Sequence, residues 1–108
     1  MSPVIRRRLE EIFGLCLALQ QRTDLHVFFD IHGHVGVVAV LVRPASTDYS
    51  ANAEGTRTDL FKDEASFGLD HASYDFLTPD QRNDRCLSEL TRLRDALSDF
   101  ADHAEVSA

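Results

Sequence analysis

Near the start of the chain the apolar positions Ile5, Leu9, Ile12, Cys16 and Leu19 step by four, three, four and three, with Phe13 and Leu17 widening the stripe. Positions so spaced fall on one side of a helix of 3.6 residues per turn. Ser2 ahead of Pro3 supplies a capping hydroxyl, then a residue whose missing N–H is no loss in a first turn. The pattern predicts a helix from about Pro3 to Gln21, broken by Thr23 and Asp24. The period then changes. Leu25, Val27, Phe29 and Ile31 alternate with His26, Phe28, Asp30 and His32, the signature of a strand with one buried face. Val35, Val37, Val38, Val40, Leu41 and Val42 form a nearly continuous run, which predicts a strand flanked by strands and shielded on much of both faces. His32, Gly33 and His34 lie between the two, with the glycine expected to supply the positive φ of a short hairpin loop.

Arg43 and Pro44 end the hairpin, and the stretch 45–56, with Tyr49 as its one large apolar residue, reads as an exposed loop. Arg57 to Lys62 and Ala65 to Leu69 are weaker strand candidates, with Lys62, Asp63 and Glu64 expected as the turn between them. Thr78-Pro79-Asp80-Gln81 is a capping box with proline at the first helical position. Beyond it Cys86, Leu90, Leu93, Leu97, Phe100 and Ala104 form one apolar stripe, predicting a second helix from about Pro79 to Asp102 and a tail from about residue 103. The reading is a single α+β domain over residues 1–108, an antiparallel sheet of a hairpin plus one or two further strands, covered by an N-terminal and a C-terminal helix. Arg6, Arg7 and Arg8 begin the first helix and Asp99, Asp102 and Glu105 end the second, each against the sign of the macrodipole. Antiparallel helices would bring the groups together, which favours two or four strands over three; the same complementarity would serve between two copies.

Composition narrows the function classes. With 108 residues and 44% hydrophobic content the chain supports one core. Its net charge of −7 is uneven, since residues 1–45 carry five Arg and four acids while 46–108 carry six basic residues and fourteen acids. Such a back half repels phosphate backbones, which disfavours direct nucleic-acid binding, and attracts a basic protein surface. Cys16 and Cys86 each fall inside a predicted helix and read as reduced core residues. Glu10 and Glu11 interrupt the basic-then-apolar start that a signal peptide would show, and Ile12 to Leu19 is far short of a membrane span. The expectation is a cytoplasmic protein with no membrane contact.

Asp30-Ile31-His32-Gly33-His34 is the segment that most looks like a site. It resembles the Asp-x-His-Gly opening of metallophosphoesterases, yet Phe29 stands where that family has glycine, and the later Gly-Asp-x-x-Asp and Gly-Asn-His elements of two-metal coordination have no counterpart. A simpler metal site would use Asp30, His32 and His34, with His26 on the same strand face; the plainer reading is the solvent face of an amphipathic strand. His71 and His103 show no ligand spacing. Neither cysteine has a CxxC context, no serine sits in Gly-x-Ser-x-Gly, and His103-Ala104-Glu105 lacks the Pro-Cys-x-x-Cys partner of zinc deaminases. No pattern asks for a cofactor or states an enzyme.

The segment from His26 to Val35, followed by alternate valines, resembles the hairpin of small phage-encoded and prophage-encoded proteins built as helix, β-hairpin, polar segment and helix. That resemblance implies a protein of the anti-CRISPR type, which occupies a surface of a host defence complex and needs no active site. On this reading the docking residues are Asp48, Glu54, Asp59, Asp63, Glu64, Asp70, Tyr74 and Asp75, facing a partner with a basic surface. The alternatives are a small metal-binding protein or metal-dependent enzyme using Asp30, His32 and His34, and a self-associating module, a homodimer joined through the stripe of the second helix or a free strand edge.

Overall fold

The computed structural model describes residues 2–22, 24–33, 35–50, 57–68 and 76–107. Ser2 caps α1 (Pro3–Gln20), its hydroxyl accepting the Ile5 N–H at 3.2 Å. The strands β1 (Leu25–His32), β2 (Val37–Pro44) and β3 (Phe61–Ser66) follow, and α2 (Pro79–Ser107) closes the chain. At the start of α2 the capping box is reciprocal: the Thr78 N–H donates to Gln81 Oε1 at 2.9 Å and the Gln81 N–H to Thr78 Oγ1 at 3.2 Å. The helix continues to Ser107, through the stretch expected as a tail.

The strands form one antiparallel sheet in the order β1-β2-β3. Register places Phe29 opposite Val40 and Val40 opposite Asp63, so Leu25, Val27, Phe29 and Ile31 share a face with Val38, Val40, Val42, Phe61 and Ala65. Both helices lie on that face, α1 over β1 and α2 over β3. Ile5, Ile12, Cys16 and Leu19 of α1 meet Cys86, Leu90, Leu93 and Leu97 of α2 above the three buried valines. The α2 stripe is therefore core, which removes it as the surface for self-association.

Four further expectations change. β2 is central, yet only Val38, Val40 and Val42 of it are buried; Val37, Ala39 and Leu41 on the other face are half-buried, because no second layer covers it among the described residues. The hairpin glycine is Gly36, not Gly33: Gly36 has φ 64°, and a Cβ there would run into the Gly68 carbonyl oxygen. The Phe67 N–H bonds the Gly36 carbonyl at 2.7 Å, so the glycine admits the end of β3 against the hairpin.

Lys62, Asp63 and Glu64 form the middle of one strand, not a turn between two. Their charges alternate between faces, as suits an edge strand, and Arg92 of α2 takes Asp63 at 2.7 Å. Finally, three strands, not two or four, lie between helices that run in the same direction. Glu11 of α1 meets Arg94 of α2 at 2.7 Å, and residues further along each helix, Leu15 and Ser98, line the same groove. The basic start of α1 is answered locally instead, by Arg6–Glu10 at 2.9 Å and Arg8–Glu11 at 2.8 Å.

Candidate functional site

The alternation that buries one side of β1 and β2 sends the remaining side chains to the uncovered face of the sheet. His26 stands opposite Arg43, Phe28 opposite Leu41, Asp30 opposite Ala39 and His32 opposite Val37; across β3, Lys62 and Glu64 flank Leu41 and Ala39. An aliphatic and aromatic band, Val37, Ala39, Leu41 and Phe28, thus crosses a polar surface.

The segment after β2 folds back over one end of this face. The Ala45 N–H donates to the Asp24 carbonyl at 2.9 Å, and the Thr47 hydroxyl to the Pro44 carbonyl at 2.6 Å, turning the chain so that Tyr49 lies beside β1. The Tyr49 ring stacks on His26 with centroids 5.8 Å apart, meets Phe28 edge-on at 6.1 Å, and shares a hydrogen bond between its hydroxyl and His26 Nδ1 at 3.2 Å. Two guanidinium groups approach the same ring, Arg57 at 5.3 Å and Arg43 at 5.8 Å from its centroid. Both are held in place. Arg57 donates to the carbonyls of Asp48 and Ser50, and Arg43 Nε bonds Asp59 at 2.8 Å, which holds the Arg43 guanidinium still more firmly protonated. The Ser50 N–H donates to Asp48 Oδ1 at 2.9 Å and holds that carboxyl below the usual range. Phe28 and Tyr49 remain 38% and 41% exposed, so each is anchored at its base with a face open to solvent.

The acidic docking set is not one patch. Asp59 is spent on Arg43 at the open face, and Asp63 points to the helix side, where Arg92 bonds it. Asp48 and Glu64 are exposed, while Glu54, Asp70, Tyr74 and Asp75 lie outside the described residues. Of the metal set, Asp30 and His32 are exposed neighbours on the open face of β1, and His34 lies outside the described residues. Among the described residues no three His, Cys, Asp or Glu side chains come together to hold a metal ion. Burial pushes the Cys16 thiol up to about 11, away from nucleophile chemistry, and Cys86 is equally buried. No helix among the described residues is long and apolar enough to cross a membrane.

The cluster that does assemble, His26, Phe28, Arg43, Tyr49 and Arg57, was half visible in the sequence. Period-two alternation groups His26 with Phe28, and an aromatic residue on the polar side of an amphipathic strand is the signal. The return of Tyr49 and Arg57 across it depends on loop geometry that no periodicity encodes. Comparison with protein-family models, curated proteins and solved structures finds no match for this chain.

Proposed function

We propose that the protein acts by binding another protein through the uncovered face of its sheet, without bond-making chemistry of its own. The observation that carries this reading is the Tyr49 cluster: two half-exposed aromatic rings beside an apolar band, braced by two fixed arginines. Tyr, Phe and Arg on rigid supports are the residue types that anchor interfaces, because little side-chain freedom is lost when they are covered. The acids act at longer range. A net charge of −7 draws a basic surface toward the molecule, and the open face then supplies the short-range contact. Occupying a surface of a larger host complex, as the resemblance to small phage-encoded proteins implies, is one form of such action.

The test is capture of a partner from host lysate with the wild type, Tyr49→Ala, Leu41→Lys, and the triple reversal Asp59→Lys, Asp63→Lys, Glu64→Lys. Loss of the captured band in the two open-face variants, with folding intact by circular dichroism, supports the reading. Retention there with loss only in the charge reversal moves the contact to the acidic segment. A chelator-sensitive activity abolished by Asp30→Ala or His32→Ala would replace binding with metal chemistry.

A further inference from the structure

The two edges of the sheet are treated differently. On β3 two outward main-chain groups are taken up by α2 and a third by a neighbouring side chain: Arg92 Nη2 donates to the Glu64 carbonyl at 2.8 Å, the Ser66 N–H donates to Glu89 Oε2 at 3.0 Å, and the Glu64 N–H donates to Asp63 Oδ1 at 2.8 Å. That edge is closed to pairing. On β1 the even-numbered residues face β2, as the Asp24 carbonyl accepting the Ala45 N–H marks, and the odd-numbered ones face outward, as the Val27 N–H donating to Gln20 Oε1 at 2.8 Å marks. Gln20 is an exposed, flexible side chain at the end of α1, and it covers a single donor. Beside this edge, Phe13, Leu17 and Ile31 are 46%, 50% and 56% exposed, and an open groove of about 320 Å³ between α1 and β1 is lined by Arg6, Leu9, Glu10, Phe13, Phe29 and Ile31.

We propose that β1 pairs antiparallel with β1 of a second copy about a two-fold axis through Phe28, joining two sheets into one. Side-chain complementarity, imidazole donors set against carboxylate acceptors, selects that register. A two-fold edge pairing that keeps the helix-facing residues of both copies on the same side can centre on Val27, Phe28 or Phe29. Centred on Phe29, it sets His26 against His32 and Asp30 against Phe28. Centred on Val27, it sets Asp30 against Asp24 and His26 against Phe28. Centred on Phe28, it sets each His26, whose Nε2 is turned away from the Tyr49 bond at Nδ1, against Asp30 of the other copy, and each His32 against Asp24, whose carboxylate also accepts from Arg22, with the Phe28 rings facing each other. These are non-hydrogen-bonded pairs, whose side chains approach most closely.

The main-chain bonds then run between Val27 of one copy and Phe29 of the other, which gives the Val27 N–H a carbonyl acceptor in place of Gln20. The exposed Ile31 meets the Leu25 end of the other strand, where α1 ends and Leu17 is exposed. That apolar surface adds to the strand edge, which alone falls short of the roughly 800 Å² per partner of a stable interface. His26 and Phe28 serve both this pairing and the open-face cluster, so the control is Lys62→Ala on β3, which should leave the dimer intact, and sedimentation reads the pairing separately from partner capture.

The experiment combines sedimentation of the full chain with cross-linking. Opposed Cα atoms at a non-hydrogen-bonded pair lie about 4.5 Å apart, within disulfide reach. Phe28→Cys should close a symmetric intermolecular disulfide under mild oxidation, Asp30→Cys should not, and the native buried thiols should stay reduced. Ile31→Lys, on an exposed side chain, should convert the dimer to a folded monomer. Asp30→Lys should weaken association about tenfold, and adding His26→Asp should restore it. A wild type that sediments as a monomer at every concentration overturns the proposal, including the case in which the edge takes only a foreign strand. So does a dimer indifferent to Ile31→Lys, or one cross-linked by Asp30→Cys and not by Phe28→Cys.

Discussion

One sheet carries two faces built by opposite rules. On the helix side, Val38, Val40 and Val42 are sealed at 0–1% exposure beneath Ile12, Leu90, Leu93 and Leu97. On the other side, their immediate neighbours Val37, Ala39 and Leu41 are half-buried and share the surface with Phe28, His26 and Tyr49. The same apolar run supplies both faces, so hydrophobicity does not separate them. What separates them is the presence of a second layer. The covered face carries the stability of the domain; the open face keeps apolar and aromatic surface that folding does not require.

Truncation on the covered face should therefore have the largest effect. Leu93→Ala removes a fully buried side chain between two helices and should cost about 2–5 kcal/mol by urea denaturation. Leu41→Ala, on the open face where the side chain is half-buried, should cost less, about 1 kcal/mol. Similar losses for the two would mean that something in solution covers the open face. Thiol chemistry sharpens the contrast. Burial pushes Cys16 up to about 11, so its thiolate fraction is about a hundredfold below that of an ordinary thiol, before any steric exclusion. Iodoacetamide near pH 8 should leave Cys16 and Cys86 untouched in the folded protein while labelling a Lys62→Cys variant on the open face. The Lys62→Cys rate should climb as pH rises through the ordinary thiol range, and that of Cys16 should stay flat until unfolding.

A smaller effect tests how the hairpin positions both faces. Gly36→Ala places a Cβ in a left-handed conformation against the Gly68 backbone and should cost at least about 1 kcal/mol. Gly33→Ala meets nothing within 4 Å and should be near neutral by thermal melting. If the two respond alike, Gly36 does not set the close approach of β3 to the hairpin.

Much of this architecture was legible where one local rule decides the outcome. The 3.6-residue stripes of Ile5 to Leu19 and Cys86 to Leu97, the period two of Leu25 to Ile31 and the reciprocal cap at Thr78 and Gln81 each depend on a few neighbouring residues. What was not legible depends on distant partners. Lys62-Asp63-Glu64 reads as a turn until Arg92 is placed beside Asp63, and Gly33 and Gly36 are equally good turn residues until Gly68 approaches one of them. The open-face cluster is intermediate: His26 and Phe28 belong to the strand pattern, whereas Tyr49, Arg43 and Arg57 converge only through the loop.

The finest test of the two faces compares adjacent charges on β3. Asp63 points toward the helices and pairs with Arg92 at 2.7 Å, with half of the Arg92 side chain still in solvent. A partly exposed pair of this kind is worth about 0.2–1 kcal/mol, and Arg92 also donates to the Glu64 carbonyl, so losing Asp63 would loosen the clamp on the β3 edge. Asp63→Ala should therefore lower stability by up to about 1 kcal/mol, less so as salt is raised and the pair is screened. Glu64→Ala removes only a side chain on the open face, since Arg92 bonds its main-chain carbonyl, and should change stability by less than about 0.5 kcal/mol at any salt. Chemical denaturation of both variants at low and high salt checks the difference. A larger, salt-dependent loss for Glu64→Ala would mean that the open-face carboxylate already holds a cationic partner, and the division between a stabilising face and a contact face would fail at β3.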